Sequence, residues 1–349
     1  MRDPRTAVDL FAGAGGTTQG LRHAGFRVLA AVENDPSAVQ TYALNHPDTQ
    51  LYARDIRRVQ APALARRLAT AGRLDLLTAC PPCQGFSTLG RGGVDDERND
   101  LVGSVARFTR ALQPRAVVLE NVPGLAADGR LARLERMLDK HYAVRRWIID
   151  AADFGIPQHR QRVILVAIER SPDLALPAGS LATLLPEDFD TLTHAAGPAI
   201  AKAGPIGGGD PVHRARRSTP LTLERIRAMP VGGGRRDLPE HLRLACHDRL
   251  KGAHATSIYG RIDPSRPSST MTTRCTTPSC GRFVHPSEDR GLSLREAALL
   301  QTFPLQYAFC GGYGEIERQI GNAVPVRLAE ALGRIVARLL DTHTAQTPD

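Results

Sequence analysis

Residues 7–24, AVDLFAGAGGTTQGLRHA, are the stretch on which the fold reading turns. Ala7–Phe11 is an apolar run of strand length. It breaks at Gly13, Gly15 and Gly16 and gives way to a helix-like pattern through about Ala24. Glycines at such a turn let the backbone pass close to a ligand, and the helix that opens there offers free N–H groups. A nucleotide-dehydrogenase loop has the same outline. The third glycine of G-x-G-x-x-G would fall at position 18, however, where Thr18 stands, so that fingerprint is incomplete.

The alternation continues outward from this turn. Val28–Glu33 reads as a second strand and Pro36–Asn45 as a helix opened by proline. Leu74–Ala79 is an apolar strand ending at a proline-rich loop. Asp100–Leu112 is helical, Ala116–Asn121 a strand, Arg130–Tyr142 a helix, and Ala143–Ile149 and Val163–Ile168 are strands. This predicts an α/β chain with a doubly wound, mostly parallel sheet, a fold that binds ligands at the carboxyl ends of its strands. From about Ser171 periodicity weakens, and Gly, Pro and Arg accumulate (IGGGDP, PVGGGRR), as in a separate loop-rich domain. Regular structure returns near Leu292 with the amphipathic stretch SLREAALLQTF. A final helix starts at Pro325, and its stripe Leu328, Leu332, Ile335 and Leu339 predicts packing back on the sheet.

Composition bounds the function. The 349 residues are 42% hydrophobic, with no apolar run near the roughly 20 residues of a membrane span and no signal-peptide core at the start, so a cytoplasmic protein is expected. Six cysteines, at 80, 83, 246, 275, 280 and 310, are too few and too scattered for a disulfide scaffold. The net charge is +9, and residues 201–260 hold eleven Lys or Arg against five Asp or Glu, a local excess of +6. Clustered positive charge suits a polyanionic partner such as nucleic acid; a basic surface kept for solubility is the plainer alternative.

Three groups of residues carry candidate chemistry. Glu33, twenty residues after Gly13, ends the second strand where an acid can bond the hydroxyls of a ribose, whether of NAD or of S-adenosylmethionine. Asp55, in RDI at the third strand, suits an adenine amino group or, more simply, a turn cap. Cys83, in Pro81-Pro82-Cys83-Gln84-Gly85-Phe86-Ser87, follows the fourth strand, where this fold does chemistry and where a thiol can ionise below its usual pKa of about 8.5. Cys80 and Cys83 also form a C-x-x-C pair, open to a redox or zinc reading, although Cys80 belongs to the apolar run LLTAC and fits a core position. Glu120 closes the apolar run AVVL, and Arg160 and Arg162 flank the start of another strand, which puts donors near one pocket.

These blocks, in this order and over nearly the whole chain, resemble the DNA (cytosine-5) methyltransferases of bacterial restriction-modification type. DLFAGAGG, Glu33, RDI, PPCQGFS, ENV, QHRQR, LREAALLQTFP and IGNAVPV all match that family. The resemblance implies a Rossmann-like S-adenosylmethionine-dependent methyltransferase sheet, built from residues 1–170 and 292–349. A smaller target-recognition domain, 171–291, would be inserted between. It implies Cys83 as nucleophile on cytosine, Glu120 at the base's ring nitrogen and amino group, Arg162 at its oxygen, and Arg160 in support. Adenosylmethionine, released as S-adenosylhomocysteine, would meet Phe11, Gly13, Glu33, Asp55, Ile56, Pro82, Leu101, Asn322, Ala323 and Val324. Double-stranded DNA would meet Gln84 and Ser87, with phosphate contacts from Arg214, Arg216, Arg217, Arg235 and Arg236. A monomer is expected, beside a restriction endonuclease that acts separately. Within the same fold, tRNA methyltransferases usually carry Phe-Thr after a shorter cysteine block, unlike Gly85-Phe86-Ser87. A DNA-binding protein on a dead scaffold would not need Cys83, Glu120 and Arg162 together.

Overall fold

The computed structural model describes residues 3–82, 101–171, 176–192, 194–244 and 256–344. The strands are β1 (Thr6–Leu10), β2 (Arg27–Glu33), β3 (Gln50–Ala53), β4 (Leu76–Ala79), β5 (Ala116–Asn121), β6 (Tyr142–Asp150) and β7 (Gln161–Glu169). The helices are α1 (Gly16–His23), α2 (Pro36–Asn45), α3 (Ala61–Leu68), α4 (Val102–Leu112), α5 (Gly129–Leu138), α6 (Ala196–Ala201), α7 (Pro220–Arg227), α8 (Leu294–Leu300), α9 (Tyr313–Asn322) and α10 (Val326–Thr344). Two compact units emerge. The first holds Met1–Phe154, Gln161–Thr191 and Val324–Asp349; the second holds Gly155–Arg160 and Leu192–Ala323. No helix among the described residues is long and apolar enough to cross a membrane.

The first unit is an α/β sheet in the order β3-β2-β1-β4-β5-β7-β6. Strands β1 to β5 run parallel, as the strand–helix alternation predicts, whereas β7 lies antiparallel to both β5 and β6. The reason is length. Only residues 151–160 join β6 to β7, and a parallel crossover needs a dozen residues or more. Strand order reverses between β1 and β4, where Leu10 pairs with Ala79, and Ala79 pairs in turn with Leu119 of β5. The carboxyl ends of these three strands therefore lie side by side at the topological switch point.

Local signals set most boundaries. Asp35 caps α2 by accepting from the Ser37 and Ala38 amides, 3.0 Å each, with Pro36 in the first turn. Helix α5 stops at Leu138, four residues short of the predicted Tyr142, because Tyr142 opens β6 and anchors its hydroxyl on the Pro114 carbonyl at 2.7 Å. The stripe Leu328, Leu332, Ile335 and Leu339 is buried on α10, which belongs to the sheet unit as expected. Residues 176–191 also stay with that unit. Arg338 donates to the Leu185 carbonyl (3.0 Å), Arg334 pairs with Asp188 (3.1 Å), and Arg327 stacks on Phe189. The compact units part at Phe154/Gly155, Arg160/Gln161, Thr191/Leu192 and Ala323/Val324.

Among the described residues of 192–291 in the second unit, regular structure is limited to α6, α7, short turns of 3-10 helix and isolated bridges. Backbone groups are satisfied by side chains instead of ladders. The buried Arg261 guanidinium donates to the carbonyls of Ile226 (2.7 Å), Met229 (2.9 Å), His285 (3.0 Å) and Glu288 (3.1 Å), and pairs with Asp289 at 2.9 Å. Beside it lies a small core of Met229, Leu238, Leu242, Ile258 and Tyr259. Helix α8 is not amphipathic: all seven of its residues are buried, including Arg295, which pairs with Asp210 at 2.6 Å, and Glu296, which pairs with Arg290 at 2.7 Å.

Candidate active site

The glycine-rich turn after β1 is held in a conformation few residues accept. Phe11 (φ 61°), Gly13 (φ 56°) and Gly15 (φ 93°) all lie in the left-handed region, and for Phe11 that is a strained choice. The turn is tied to β2, with the Ala12 amide donating to the Val32 carbonyl (3.0 Å) and the Gly13 amide to Glu33 Oε2 (2.8 Å). Glu33 Oε1 accepts from the Asn34 and Asp35 amides at 2.8 Å each, which leaves acceptor capacity on Oε2 for a ligand hydroxyl. A Cβ at Gly13 would meet nothing within 4 Å, so the turn borders open space that a side chain would invade. These features fit a ribose held against the turn.

Thr18, the residue that spoils the dinucleotide fingerprint, has a use of its own. Its hydroxyl donates to Asp9 Oδ2 at 2.8 Å and meets the Tyr42 hydroxyl at 2.8 Å, while Thr78 donates to Asp9 Oδ1 at 3.1 Å. Asp9 is fully buried, and burial pushes its carboxyl up to about 7 against the lowering effect of the two threonine hydrogen bonds. A folded-state pKa raised above 3.8 means that the folded chain keeps a proton the unfolded chain gives up. Stability should therefore fall as pH rises from about 4 to about 7 and level off above that. Asp9→Asn mimics the neutral acid and should flatten this slope, so its melting temperature gains on the parent between pH 5 and pH 7. Parallel melting profiles over that range would contradict the assignment.

Asp55 does what the plainer reading says: it caps the turn Ile56–Arg58, accepting from the Arg57 amide (2.8 Å) and pairing with the Arg57 guanidinium (2.6 Å). The hydrogen bond from Arg57 lowers its pKa to about 2. Ile56 is buried in the sheet core, and Phe11 and Leu101 pack half-buried against the same cluster.

Cys83, Gln84 and Ser87 lie outside the described residues. The approach to them is firmly placed. The Cys80 amide donates to the Leu10 carbonyl (3.2 Å), and Asn121 donates from Nδ2 to the Pro81 carbonyl (2.9 Å) while its Oδ1 accepts from the Val122 amide (2.9 Å). Pro82 follows, half-buried. Burial, with the Glu120 carboxylate nearby, pushes the Cys80 thiol well up, which suits a neutral core cysteine. Glu120, 8% exposed on β5, pairs with Arg162 on β7, Nε to Oε1 2.8 Å. Glu120, Cys80, Thr17 and Val324 line one small cavity of about 10 Å³, at the lower limit for a single water.

Arg160 behaves unlike Arg162. It is 3% exposed in the second unit, where its guanidinium donates to the carbonyls of Met271 (2.9 Å), Gly321 (3.4 Å) and Ala323 (3.2 Å). Ala323 is buried and Asn322 exposed. Among the basic candidates, Arg216 pairs with buried Glu317 at 2.8 Å and stacks on Tyr313 (4.5 Å), with Arg214 over the same ring at 5.7 Å. Arg217 and Arg236 are exposed and Arg235 is half-buried. Sequence reasoning assigned nothing to Asp9, Thr18 or Asn121. For Asn121 the signal was present, a second polar residue closing an apolar strand.

A family model described as C-5 cytosine-specific DNA methylase matches residues 5–338. The chain is 35% identical over 346 residues to the type II methylase M.HgiDII of Herpetosiphon aurantiacus, covering 96% of this chain and 95% of that protein. It is 32% identical over 345 residues to the type II methyltransferase M1.HphI of Haemophilus parahaemolyticus, covering 96% and 87%. Among solved structures, the S. pombe Dnmt2 methyltransferase superposes with a TM-score of 0.65 at 16% identity over 97% of this chain and 99% of that one, a likeness of fold.

Proposed function

The chain belongs to the C-5 cytosine-specific DNA methylases, and we propose that it methylates cytosine within one short double-stranded sequence by covalent attack of Cys83 on a flipped-out base. The observation that carries this reading is the Glu120–Arg162 pair at the carboxyl end of β5 and the amino end of antiparallel β7, next to the switch point and to the loop that leads to Cys83. Cytosine carbon 5 is a poor nucleophile until a thiolate adds at carbon 6 and makes it enamine-like, able to take the methyl group; loss of the carbon 5 proton to solvent then expels the Cys83 thiolate and restores the ring. Glu120 meets the ring nitrogen and amino group of the base and favours protonation as the thiolate adds. Arg162, whose Nε holds Glu120, keeps that carboxylate aimed and lies close enough to meet the base oxygen. Asn121 fixes the Pro81 carbonyl and so steadies the start of the segment bearing the nucleophile. Arg160, whose guanidinium holds backbone carbonyls of the second unit, keeps the supporting role that the resemblance gives it. Extracting the base from the duplex costs a few kcal/mol.

Adenosylmethionine, when bound, supplies the electrophilic methyl group and leaves as S-adenosylhomocysteine. In the sheet unit Phe11, Gly13, Glu33, Pro82, Leu101 and Val324 would hold it, with Ile56 and Asp55 at the adenine end, where Asp55 would accept from the adenine amino group through lone pairs that Arg57 does not use. Residues 171–291 read the target, with Arg217 and Arg236 the best placed of the basic candidates for phosphate because their side chains are exposed, whereas the exposed Arg214 and Arg216 lie over the Tyr313 ring. The type II names of its relatives support a modification role; the cytoplasmic location, one chain per site and a separately acting restriction endonuclease belong to the same reading. The test is genome-wide cytosine mapping in a methylation-free bacterial host. Expression should place methyl groups on carbon 5 at one short motif. Soluble, folded protein that leaves the genome unmodified overturns the proposal.

A further inference from the structure

One closed circuit of side chains in the second unit fixes a guanidinium at the surface. Tyr313 and Glu317 stand one turn apart on α9 and so share a face. The Tyr313 hydroxyl donates to the Thr276 hydroxyl (3.0 Å), which donates in turn to Glu317 Oε1 (2.6 Å). That oxygen also accepts from the Thr276 amide (2.9 Å) and the Thr277 hydroxyl (3.2 Å). Glu317 Oε2 accepts from Arg216 Nη2 at 2.8 Å, and the Arg216 guanidinium lies back over the Tyr313 ring, 4.5 Å from its centroid. The carboxylate end of the circuit is inside, 2% exposed, whereas the Arg216 side chain is 41% exposed.

Neutralising a buried carboxylate explains the inner end of this arrangement but not the outer one. Among the described residues, the bond to Glu317 is the only hydrogen bond on the Arg216 guanidinium, a planar group with five N–H donors. Ring and carboxylate together set that plane, and holding so long a side chain costs conformational entropy, here already incurred on folding. A phosphate contact needs no such order. It asks for charge, and the exposed Arg217 next along the chain meets that need. Arg216 is the poorer source, because the carboxylate at 2.8 Å offsets its charge. What it keeps is direction. In the major groove guanine alone sets two acceptors, O6 and N7, side by side, the match for two parallel N–H donors. Adenine and cytosine put an amino donor there, and thymine a methyl group beside a single acceptor.

We propose that Arg216 is a specificity-determining residue that reads one guanine of the target site through O6 and N7, with Glu317 and Tyr313 as its positioning residues. The inference rests on the reading of residues 171–291 as the segment that meets target DNA, and the experiment separates the two. The full-length protein is first mapped in the methylation-free host to obtain its motif. Each guanine of a duplex carrying that motif is then replaced in turn by 7-deazaguanine, which lacks N7. Affinity is measured across a range of salt, with S-adenosylhomocysteine present, for the parent, Arg216→Gln, Glu317→Gln and Arg217→Gln. At one guanine the parent should lose about tenfold, and Arg216→Gln, already weaker by about as much, should lose nothing further. Glu317→Gln should blunt discrimination at that same guanine and no other. The salt slope should hold in Arg216→Gln and fall by about one in Arg217→Gln. If Arg216→Gln weakens every sequence equally and lowers the slope by about one, Arg216 is a phosphate contact and the inference is wrong. If it changes neither affinity nor motif, Arg216 is only the counter-ion of Glu317, and the inference is wrong again. A parent that marks no single motif brings down the reading of the target segment, and this inference with it. Should Arg216→Gln not fold, Arg216→Lys, which keeps the charge and loses the fork, takes its place in the guanine test with the same expected loss of coupling.

Discussion

Turnover in Cys83→Ser should drop below detection, and in Glu120→Gln by about 10²–10⁴-fold, the usual worth of a positioned acid–base group. The first expectation rests on chemistry alone: a serine hydroxyl does not ionise near neutral pH, whereas a thiol of pKa about 8.5 is within reach of activation. S-adenosylhomocysteine binding should survive in both variants. The second rests on the pair with Arg162. Glutamine keeps the shape of Glu120 but removes the charge that holds Arg162 at 2.8 Å, in a place where the two side chains are only 10% and 12% exposed. Some stability should go with it, because a buried cation left without its partner costs roughly 3 kcal/mol or more. Loss of the ion pair should therefore appear as a lower melting temperature in Glu120→Ala and less so in Glu120→Gln, with DNA affinity within a few-fold in the latter. Single-turnover assays with saturating DNA isolate the chemical step. Wild-type rates in Cys83→Ser would end the covalent mechanism; wild-type rates in Glu120→Gln would remove only the role of that carboxylate.

Gly20→Val should cost about 3 kcal/mol of stability and loosen cofactor binding as well. Gly20 sits where α1 crosses α10. A Cβ there would stand 2.2 Å from the Val326 carbonyl oxygen and 2.6 Å from both the Ala329 methyl and the Glu330 amide nitrogen. Two of these three are backbone, so no rotamer change relieves the clash and the helices must separate. Helix propensity pulls the other way, but favours valine over glycine by only about 0.4 kcal/mol, whereas overpacking of this severity lies at the upper end of the usual 1–3 kcal/mol. Gly333 on α10 is the gentler counterpart, with a Cβ 2.7 Å from the Ala24 methyl. The functional link is Thr18, two residues before Gly20, which helps to hold Asp9 beneath the glycine-rich turn. Urea unfolding should show the loss. A Gly20→Val protein within about 1 kcal/mol of the parent would mean that the crossing is more pliant than the geometry implies.

What could be read from the sequence tracks how local the determining interaction is. Asp35 and Pro36 stand next to the helix they start, and α2 appears with its predicted bounds. The end of α5 depends on Tyr142 reaching Pro114, and no glycine or proline marks residues 139–141, so the boundary was misplaced. Glu120 and Arg162 were legible because each polar group adjoins an apolar strand run, and pairing of β5 with β7 brings them together. Arg160, two residues from Arg162, looked like its companion, yet it turns to carbonyls of the second unit, because position 160 precedes the strand and is not bound by its alternation. Gln301 fell within the stretch SLREAALLQTF, which reads as amphipathic. Its partners, Gln158 and the end of α9, lie far away in the chain, and burial of α8 on all sides is a property of the assembled unit.

The way Arg261 holds the loop-rich unit together has an evolutionary consequence. Four of its five partners, at Ile226, Met229, His285 and Glu288, are main-chain oxygens, and every amino acid brings the same oxygen. Side chains at those four positions can be exchanged one after another while the staple persists, so long as the backbone path is kept. A surface built on such anchors is free to drift in what it recognises without first having to reinvent how it folds.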